Sequence, residues 1–391
     1  MGFILQLGSN GVSRVLYIYL VAYLAGLEPE FAATHATLLG YASSLVILFS
    51  LNIYQHTIAR NGNNLQAALA SCEFQYRVLL LSGLGLWTAT LLMWLLEWQV
   101  PLGVLVVLAS LGLAQIEVTF SMVTAHGKEW RPLFYYGSQS VFFVSYLMMV
   151  SQELSVAPTV LVSVTPLFLL TFLAYKRLKA NEPSLTDVSG VPRLEEYRER
   201  AIALLGQAPV AATVPALIYL IGNFGGQSNQ IPQLLLFISY GGAVVFLLGN
   251  TYQFYGHTLI PRLLAVVESR QWRVLLLTSG GVIAASLLLT VPIGVLLGWM
   301  KEGEIRSWPA EWYLSVGIFA AGTALAQWYS AIFVGLKKPA FIGLSNVSYL
   351  LAAVSLYATS HFAFYYVIAA AAFIRVVTQA ALFGSRLGTT K

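Results

Sequence analysis

The first apolar segment of the chain carries a row of polar residues of the kind that binds an anion. Gln6, Asn10, Ser13, Arg14 and Tyr17 fall within about 100° of arc on a helix that is otherwise apolar. Arg14 lies roughly 16 Å from the start of the segment, near the middle of a bilayer core about 30 Å thick. Arginine keeps its proton there, and such a charge faces a bundle interior or a water-filled cavity. We expect Gln6 and Ser13 to bond neighbouring helices, and Asn10, Arg14 and Tyr17 to line a cavity.

Two further charges lie at membrane depth. Glu117 is about 10 Å inside the inner face of the fourth predicted helix, and Arg375 lies within the twelfth. Glu117 either pairs with an arginine inside the bundle or takes part in proton coupling, and the sequence favours neither role. Two arginines against one glutamate leave the membrane interior positive. We therefore predict that Arg375 is a second cavity residue and that an anion is better accommodated than a cation.

Polar pairs recur at the inner ends of two other helices. Asn52 and Gln55 share one face of the second predicted helix, and Asn250 and Gln253 share one face of the eighth. Because the pairs are repeated, they either cap the cytosolic helix ends or line the mouth of the cavity. We include all four among the candidate substrate-binding residues.

The two halves of the chain resemble each other. Residues 75–81 recur as residues 271–277, and Asn52 and Gln55 recur as Asn250 and Gln253. Each half contains an even number of predicted spans, so both halves point the same way across the membrane. This predicts a symmetry axis along the membrane normal with the site between the halves. The counterpart of Arg14 is Val214, so the charge is not part of the repeat.

Pro209 and Pro215 interrupt the seventh predicted helix. A proline removes one backbone hydrogen bond and allows a bend. We predict that this helix is a hinge that bends during transport.

The composition is that of a polytopic membrane protein. Of 391 residues, 58% are hydrophobic and 9% are charged, and the mean hydropathy is +0.74. Twelve apolar stretches are long enough to span a bilayer as helices. They cover residues 3–26, 33–58, 77–97, 101–124, 133–151, 157–175, 206–223, 232–256, 274–298, 312–335, 340–358 and 362–383. The predicted fold is all-α, with two parallel six-helix halves around a central cavity.

The basic residues indicate the orientation. Seventeen of the 21 Lys and Arg residues lie in loops on one side, and only Lys301 and Arg306 lie on the other. This asymmetry predicts that both termini are cytosolic. We assign residues 1–175 to the N-terminal half, 176–205 to a cytosolic linker with an amphipathic helix, and 206–391 to the C-terminal half.

Residues for several kinds of chemistry are missing from the sequence. Asp187 is the only aspartate, so the paired aspartates that a metal-dependent glycosyltransferase needs are absent. The sequence also contains no phosphate-binding Gly-x-x-x-x-Gly-Lys-Ser/Thr loop and no His-Glu-x-x-His zinc motif. We expect no catalytic residues, no metal and no cofactor. The short outer loops disfavour a membrane-embedded glycan polymerase or ligase.

Two segments resemble a known transporter family. They are residues 252–263, which end the eighth helix, and residues 335–339 after the tenth. Together with twelve spans, the inner linker and a basic first helix, they resemble the multidrug/oligosaccharidyl-lipid/polysaccharide exporter (MOP) superfamily, in its polysaccharide-flippase branch. The resemblance implies a cationic cavity in which Arg14 matches the family's arginine on the first helix. Asn52, Gln55, Asn250 and Gln253 match polar positions near its inner mouth.

The resemblance implies a flippase of the bacterial inner (plasma) membrane. The substrate would be a polyprenyl-(pyro)phosphate-linked oligosaccharide, such as an O-antigen or exopolysaccharide unit, moved from the inner to the outer leaflet by alternating access. Its expected partners are the bilayer and the glycan polymerase or glycosyltransferases of the same pathway, and no nucleic acid. A multidrug exporter of the same superfamily is the alternative, although an exporter of cations would want an acidic residue on the first or seventh helix.

Overall fold

The computed structural model describes residues 2–50, 65–125, 130–181, 194–225, 230–245, 268–300, 309–335, 339–360 and 362–387. These ranges contain twelve α-helices and no strand. The helices are α1 (Gly2–Ala25), α2 (Pro29–Ser50), α3 (Leu65–Leu95), α4 (Leu102–Ala125), α5 (Arg131–Val150), α6 (Val156–Asn181), α7 (Leu194–Leu220), α8 (Gln230–Val245), α9 (Glu268–Met300), α10 (Ala310–Gly335), α11 (Pro339–Thr359) and α12 (Phe364–Leu387).

Each described helix overlaps one predicted span, so the predicted all-α polytopic fold is confirmed. In the described ranges, eight helices are long and apolar enough to cross a membrane, namely α2 to α7, α11 and α12. Shorter apolar stretches form the cores of α1, α8 and α9. The chain is therefore a multi-pass membrane protein.

Polar contacts extend two helices beyond their apolar spans. α3 begins at Leu65, well before residue 77, and α6 continues to Asn181. Near these ends, the Glu73 carboxyl group accepts a hydrogen bond from the Tyr175 hydroxyl at 2.5 Å and pairs with the Lys179 amine at 3.3 Å. Hydropathy predicts only the part of a helix that lies in the hydrocarbon core of the membrane. Polar contacts such as these stabilise the helical turns that lie outside that core.

The chain divides into two compact units, Met1–Leu204 and Leu205–Lys391. In the first unit, α4 is the central helix and packs against α2, α3, α5 and α6. α1 packs against α5 and α2, and α5 packs against α6. α4 is accordingly the most deeply buried of the candidate spans, and its buried side chains belong to the core of the unit.

The second unit repeats this arrangement. α10 takes the place of α4 and packs against α9, α11 and α12, while α11 packs against α12. One close contact recurs at corresponding positions of the two units. Gly112 of α4 faces Val164 of α6, and Gly322 of α10 faces Ala372 of α12. The two glycines are 210 residues apart in the sequence, and their two partners are 208 apart. The shared packing supports the internal duplication that the sequence suggests.

The seventh helix is one continuous element from Leu194 to Leu220, so the predicted linker helix and the seventh span are joined. It ends in a π-helical turn, Ile221–Gly225. Pro209 and Pro215 both lie inside it, and the Thr213 hydroxyl donates to the Pro209 carbonyl oxygen at 2.9 Å. The hinge assigned to these prolines stays a prediction.

The close approach at Gly322 predicts a specific destabilisation. In Gly322→Ala the new Cβ would lie 3.0 Å from Ala372 Cβ and 3.1 Å from its backbone carbonyl carbon. Since backbone cannot move aside without shifting α12, we expect a loss of about 1–3 kcal/mol in the free energy of unfolding. The measurement is thermal unfolding of the purified protein in detergent. Gly281→Ala on α9 is the matched control, because nothing lies within 4 Å of its new Cβ. Equal effects of the two substitutions would contradict this account of the packing.

Candidate functional site

The polar stripe of α1 faces α5. The Ser13 hydroxyl donates to Gln139 Oε1 at 3.2 Å, and the ring of Tyr17 lies 4.9 Å from that of Phe143. Both pairs are separated by 126 residues, so the two helices run side by side in the same direction. Ser13 is 2% exposed and makes the contact between helices that we expected of it.

Arg14 follows Ser13 on the same helix and is exposed. Because neighbouring residues of α1 and α5 differ by 126 in number, Tyr135 of α5 lies beside Ser9 of α1. Ser9 precedes Arg14 by five residues, so Tyr135 is displaced from the Cα of Arg14 by about 7 Å along the helix axis, toward the N-terminus of α1. Helical side chains lean toward the helix N-terminus, so this level is within reach of the long Arg14 side chain. The Arg14 charge acts electrostatically on Tyr135.

Tyr135 also contacts Glu117. Its hydroxyl donates to Glu117 Oε1 at 3.1 Å, and its ring packs on Phe120 with 4.5 Å between the ring centroids. The Ser50 hydroxyl, at the end of α2, lies near the Glu117 carboxyl group and donates to the Ile47 carbonyl oxygen at 3.4 Å. In the described part of the chain, hydroxyl groups rather than an arginine surround the Glu117 carboxyl group. The first unit therefore joins Glu117 of α4 to Tyr135 of α5, and α5 packs against α1, the helix that carries Arg14.

The second unit contains another buried polar cluster. The Arg375 guanidinium lies over the ring of Tyr349 at 5.8 Å, and among the described residues its Nε has no hydrogen-bond partner. One turn along α12, Gln379 Nε2 donates to Ser345 Oγ at 3.1 Å and to Ser330 Oγ at 3.3 Å. Gln379 is fully buried, so it joins α10, α11 and α12 within the membrane.

The contact between α7 and α11 is the counterpart of the one between α1 and α5. Asn346 Nδ2 donates to the Gly206 carbonyl oxygen at 2.6 Å. The backbones come close here, because a Cβ added to Gly206 would lie 3.8 Å from Gly343 Cα. Corresponding pairs of helices are therefore joined in both units. A hydrogen bond between two side chains joins α1 and α5, and a hydrogen bond from a side chain to the backbone joins α7 and α11.

Several predicted residues lie outside the described residues. They are Asn52, Gln55, Asn250 and Gln253. The backbone of Asn10 lies in α1, but nothing is said of its side chain. Conversely, sequence reasoning missed Tyr135, Gln139, Ser50, Asn346 and Gln379. The signal for two of them is present, since Gln379 lies four residues after Arg375 and Gln139 four residues after Tyr135 on apolar helices.

Comparison with solved structures identifies the fold. An outward-facing multidrug resistance MATE family transporter of the MOP superfamily matches with a TM-score of 0.57 at 11% sequence identity, over 99% of this chain and 94% of that chain. A MATE transporter in complex with MaD3S gives 0.53 at 12% identity, over 100% and 96% of the two chains. The chain has the fold of the MOP superfamily. A MOP superfamily transporter from Pyrococcus furiosus also matches, at 0.50 and 12% identity, over 98% and 93%. The binding pocket of that protein has a reversed polarity that suggests a different function.

Sequence comparison adds nothing to this fold, because no family model and no curated protein match the chain. At 11–12% identity the MOP fold is shared without evidence of a shared substrate. Among the described residues, no three His, Cys, Asp or Glu side chains are placed to hold a metal ion. What distinguishes the chain chemically is the set of charged side chains within its helices.

The Gln379 cluster predicts a stability effect. Gln379→Leu keeps the side-chain volume but leaves the Ser330 and Ser345 hydroxyls and the Ala326 carbonyl oxygen without this donor. We expect a loss of about 1–3 kcal/mol, measured by thermal unfolding in detergent. Thr378→Val is the matched control, since the exposed Thr378 hydroxyl bonds only within its own helix, to Ile374. An unfolding curve for Gln379→Leu that overlays the control would refute a structural role for the cluster.

Proposed function

We propose that the chain is a transporter that moves a polyprenyl-(pyro)phosphate-linked oligosaccharide from the inner to the outer leaflet of a bacterial plasma membrane by alternating access. The observation that carries this proposal is Arg14, an exposed guanidinium within an apolar helix of a MOP fold. Moving a charged phosphate and its sugars through hydrocarbon costs free energy, whereas the lipid tail can stay in hydrocarbon throughout. A guanidinium can form two parallel charge-assisted hydrogen bonds to the phosphate and so offset part of that cost.

The charges within the described helices favour an anionic substrate. Arg14 and Arg375 lie within α1 and α12, and Glu117 is the acid at comparable depth. Glu117 is half-buried, and its carboxyl group already accepts a hydrogen bond from Tyr135, which leaves it poorly disposed to attract a cation. The Pyrococcus furiosus transporter supports the view that this fold accommodates pockets of opposite polarity.

Further residues belong to the proposed site. We assign Asn10 and Tyr17 to the surface beside Arg14, and Asn52, Gln55, Asn250 and Gln253 to the inner mouth. Arg375 is proposed as a second contact for the anion. Glu117 is proposed as the proton-coupling group, because it is the acid at membrane depth in the described helices of the first unit. Both termini would be cytosolic, and glycan polymerases or glycosyltransferases of the same pathway would be partners.

A multidrug exporter is the second candidate, and the fold neighbours favour it. Two of the structures that share the fold are a multidrug resistance MATE transporter and a MATE transporter with a bound compound. An exporter of cationic drugs would be expected to use an acid on α1 or on the membrane span of α7. The described residues of α1 and of the span Leu204–Asn223 include none. Efflux of a cationic dye from intact cells separates this candidate from the flippase.

The proposal predicts that the charge of Arg14 is needed for delivery of glycan. In cells that lack the wild-type protein, Arg14→Gln should lower glycan delivery at least about tenfold, since a charge-assisted hydrogen bond contributes about 1.5–3 kcal/mol. Arg14→Lys should restore part of it, because the charge remains but the paired donors do not. Glycan at the cell surface and lipid-linked sugar in the inner leaflet are measured at equal protein levels in the membrane.

Each outcome of that experiment separates the candidates. Accumulation of lipid-linked sugar with unchanged dye efflux is expected for the flippase. Full glycan delivery by Arg14→Gln would refute it. Loss of dye efflux with normal glycan delivery would establish the multidrug alternative.

The hinge in α7 gives a separate prediction. Pro209→Ala with Pro215→Ala should restore two backbone hydrogen bonds and stiffen the helix. We expect slower transport with little change in protein level, measured as the rate of glycan delivery. Pro166→Ala in α6 is the control for loss of a helical proline. Undiminished transport by the double variant would remove the hinge from the mechanism.

A further inference from the structure

Four polar side chains meet where α3 and α6 lie side by side, at the edge of their apolar spans. The Glu73 carboxyl group accepts hydrogen bonds from the Arg77 guanidinium and from the Tyr175 hydroxyl, each at 2.5 Å. It also pairs with the Lys179 amine at 3.3 Å. One carboxyl group therefore holds a guanidinium and an ammonium group close together, and Tyr175 fixes that carboxyl group from α6. We call these four residues the α3–α6 cluster.

The basic side chains of the α3–α6 cluster are open to a further anion. The side chains of Arg77 and Lys179 are 59% and 38% exposed, whereas that of Glu73 is 18% exposed. An anion that approaches from outside therefore meets the two cations before it meets the carboxylate. A guanidinium carries five N–H donors and an ammonium group three, which is more than one carboxylate can accept. Two positive charges against one negative leave the cluster positive, and the exposed Lys176 adjoins it.

The α3–α6 cluster lies at one end of an apolar surface. Of the candidate membrane spans in the described ranges, the span in α3 is the least buried. Its Leu81 is 71% exposed, and Leu169 and Leu173 of α6 are exposed as well. Since lipid tails are as apolar as leucine, such side chains in a multi-pass membrane protein can contact the acyl chains of the bilayer. A charged group at the end of this surface therefore lies where the headgroups of the bilayer begin.

α3 and α6 stay in contact beyond the cluster, so the apolar surface is shared by both helices. Gly83 of α3 faces the ring of Phe168 of α6. Further along, Trp87 Nε1 donates to the Leu161 carbonyl oxygen at 3.3 Å. The residue numbers rise along α3 as they fall along α6, so the two helices are antiparallel. The cluster and the exposed leucines thus lie along one line of helix contact.

The α3–α6 cluster is not part of the internal repeat. By the offset of 196 between Arg77 and Arg273, Glu73 corresponds to Ser269. By the offset of 208 between α6 and α12, Tyr175 corresponds to Phe383. The second unit therefore keeps the arginine but has neither the carboxyl group nor the hydroxyl group at these positions. Packing of the repeated scaffold does not require the cluster.

We propose that the α3–α6 cluster binds the phosphate of an anionic phospholipid, whose acyl chains lie along the exposed leucines of α3 and α6. Arg77 and Lys179 donate charge-assisted hydrogen bonds to the phosphate oxygens, and Glu73 holds the two cations in place for it. The occupant is a lipid rather than a free anion, because the phosphate of a phospholipid lies at the same boundary between water and hydrocarbon. None of these residues belongs to the proposed transport site, so the inference does not depend on the transported substrate.

The test compares the binding of two lipids with the same chains and different headgroups. The purified full-length protein in neutral detergent is titrated with dioleoyl phosphatidylglycerol or with dioleoyl phosphatidylcholine, and the first bound lipid is quantified by native mass spectrometry. The wild type should bind phosphatidylglycerol at least about tenfold more tightly, since each Lys or Arg near an anionic lipid contributes about fivefold to the affinity. Arg77→Gln with Lys179→Gln should abolish this preference.

A second pair of substitutions removes the same charge elsewhere. Arg177 lies over the ring of Trp130 at 5.5 Å, on the side of α6 that faces α5, and Arg273 is exposed on α9. Arg177→Gln with Arg273→Gln should therefore keep the preference for phosphatidylglycerol. An equal loss in both double variants would mean that net charge alone attracts the lipid, and it would overturn the site.

A competitor separates the lipid from its headgroup. Glycerol phosphate carries the phosphate without acyl chains, so it should not displace phosphatidylglycerol at an equal concentration. Displacement at that concentration would overturn the lipid as the occupant, because the apolar surface would then contribute nothing to binding.

A further measurement needs only the wild-type protein. Phosphatidylglycerol and phosphatidylcholine with a photoreactive diazirine in one acyl chain are crosslinked to the protein, and the labelled peptides are identified. Phosphatidylglycerol should label residues 69–84 and 169–180 in excess over phosphatidylcholine. The same labelling pattern for both lipids would overturn the inference, whether or not the variants fold.

Discussion

A fixed positive charge within the membrane constrains the first unit more than any other feature. Arginine remains charged at any pH that a cell experiences, so the protein must hydrate or neutralise Arg14 wherever it lies. The surrounding helices meet this requirement with an exposed position on α1 and with Tyr135 of the neighbouring α5, on which the Arg14 charge acts. The same arrangement gives an incoming anion a charged partner in a region where water is scarce.

The duplicated scaffold and the charges follow different rules. The glycine contacts and the packing around the central helix recur in both units, because each unit must bury the same helix crossings. The charges at membrane depth do not recur. By the offset of 210 between Gly112 and Gly322, Glu117 corresponds to Gln327. By the offset of 200 between Tyr19 and Tyr219, Arg14 corresponds to Val214. The repeated packing thus belongs to the fold, whereas the chemistry belongs to single positions in each unit.

The sequence predicts the fold well because a bilayer imposes a strong rule. A helix must satisfy its own backbone in hydrocarbon, so twelve apolar stretches of the right length predict twelve helices. The same rule explains the errors at the ends of helices. α3 starts at Leu65 and the predicted linker helix joins α7, because helical turns outside the hydrocarbon leave no trace in hydropathy. The place of Arg14 on α1 was also predictable, since a single arginine stands out in an apolar segment.

The partners of the charged residues were not predictable from the sequence. Tyr135 bonds to Glu117 only because α4 and α5 pack together. Such contacts are hard to predict, since membrane helices are apolar on the faces that meet protein as well as lipid. Ser13 and Gln139 are 126 residues apart, and no periodicity in either helix indicates that they bond. The partners of Gln379 likewise become evident only when α10 and α11 pack against α12.

The most direct test of the central claim is to identify the lipid that the protein carries. Native mass spectrometry of the protein, purified gently from its own membrane, reports bound lipids by their mass. The account predicts a polyprenyl phosphate or pyrophosphate species bound to the wild type and lost from Arg14→Gln at equal folding. Retention of the same phosphate-bearing lipid by Arg14→Gln, or binding of neutral lipids alone by the wild type, would contradict it.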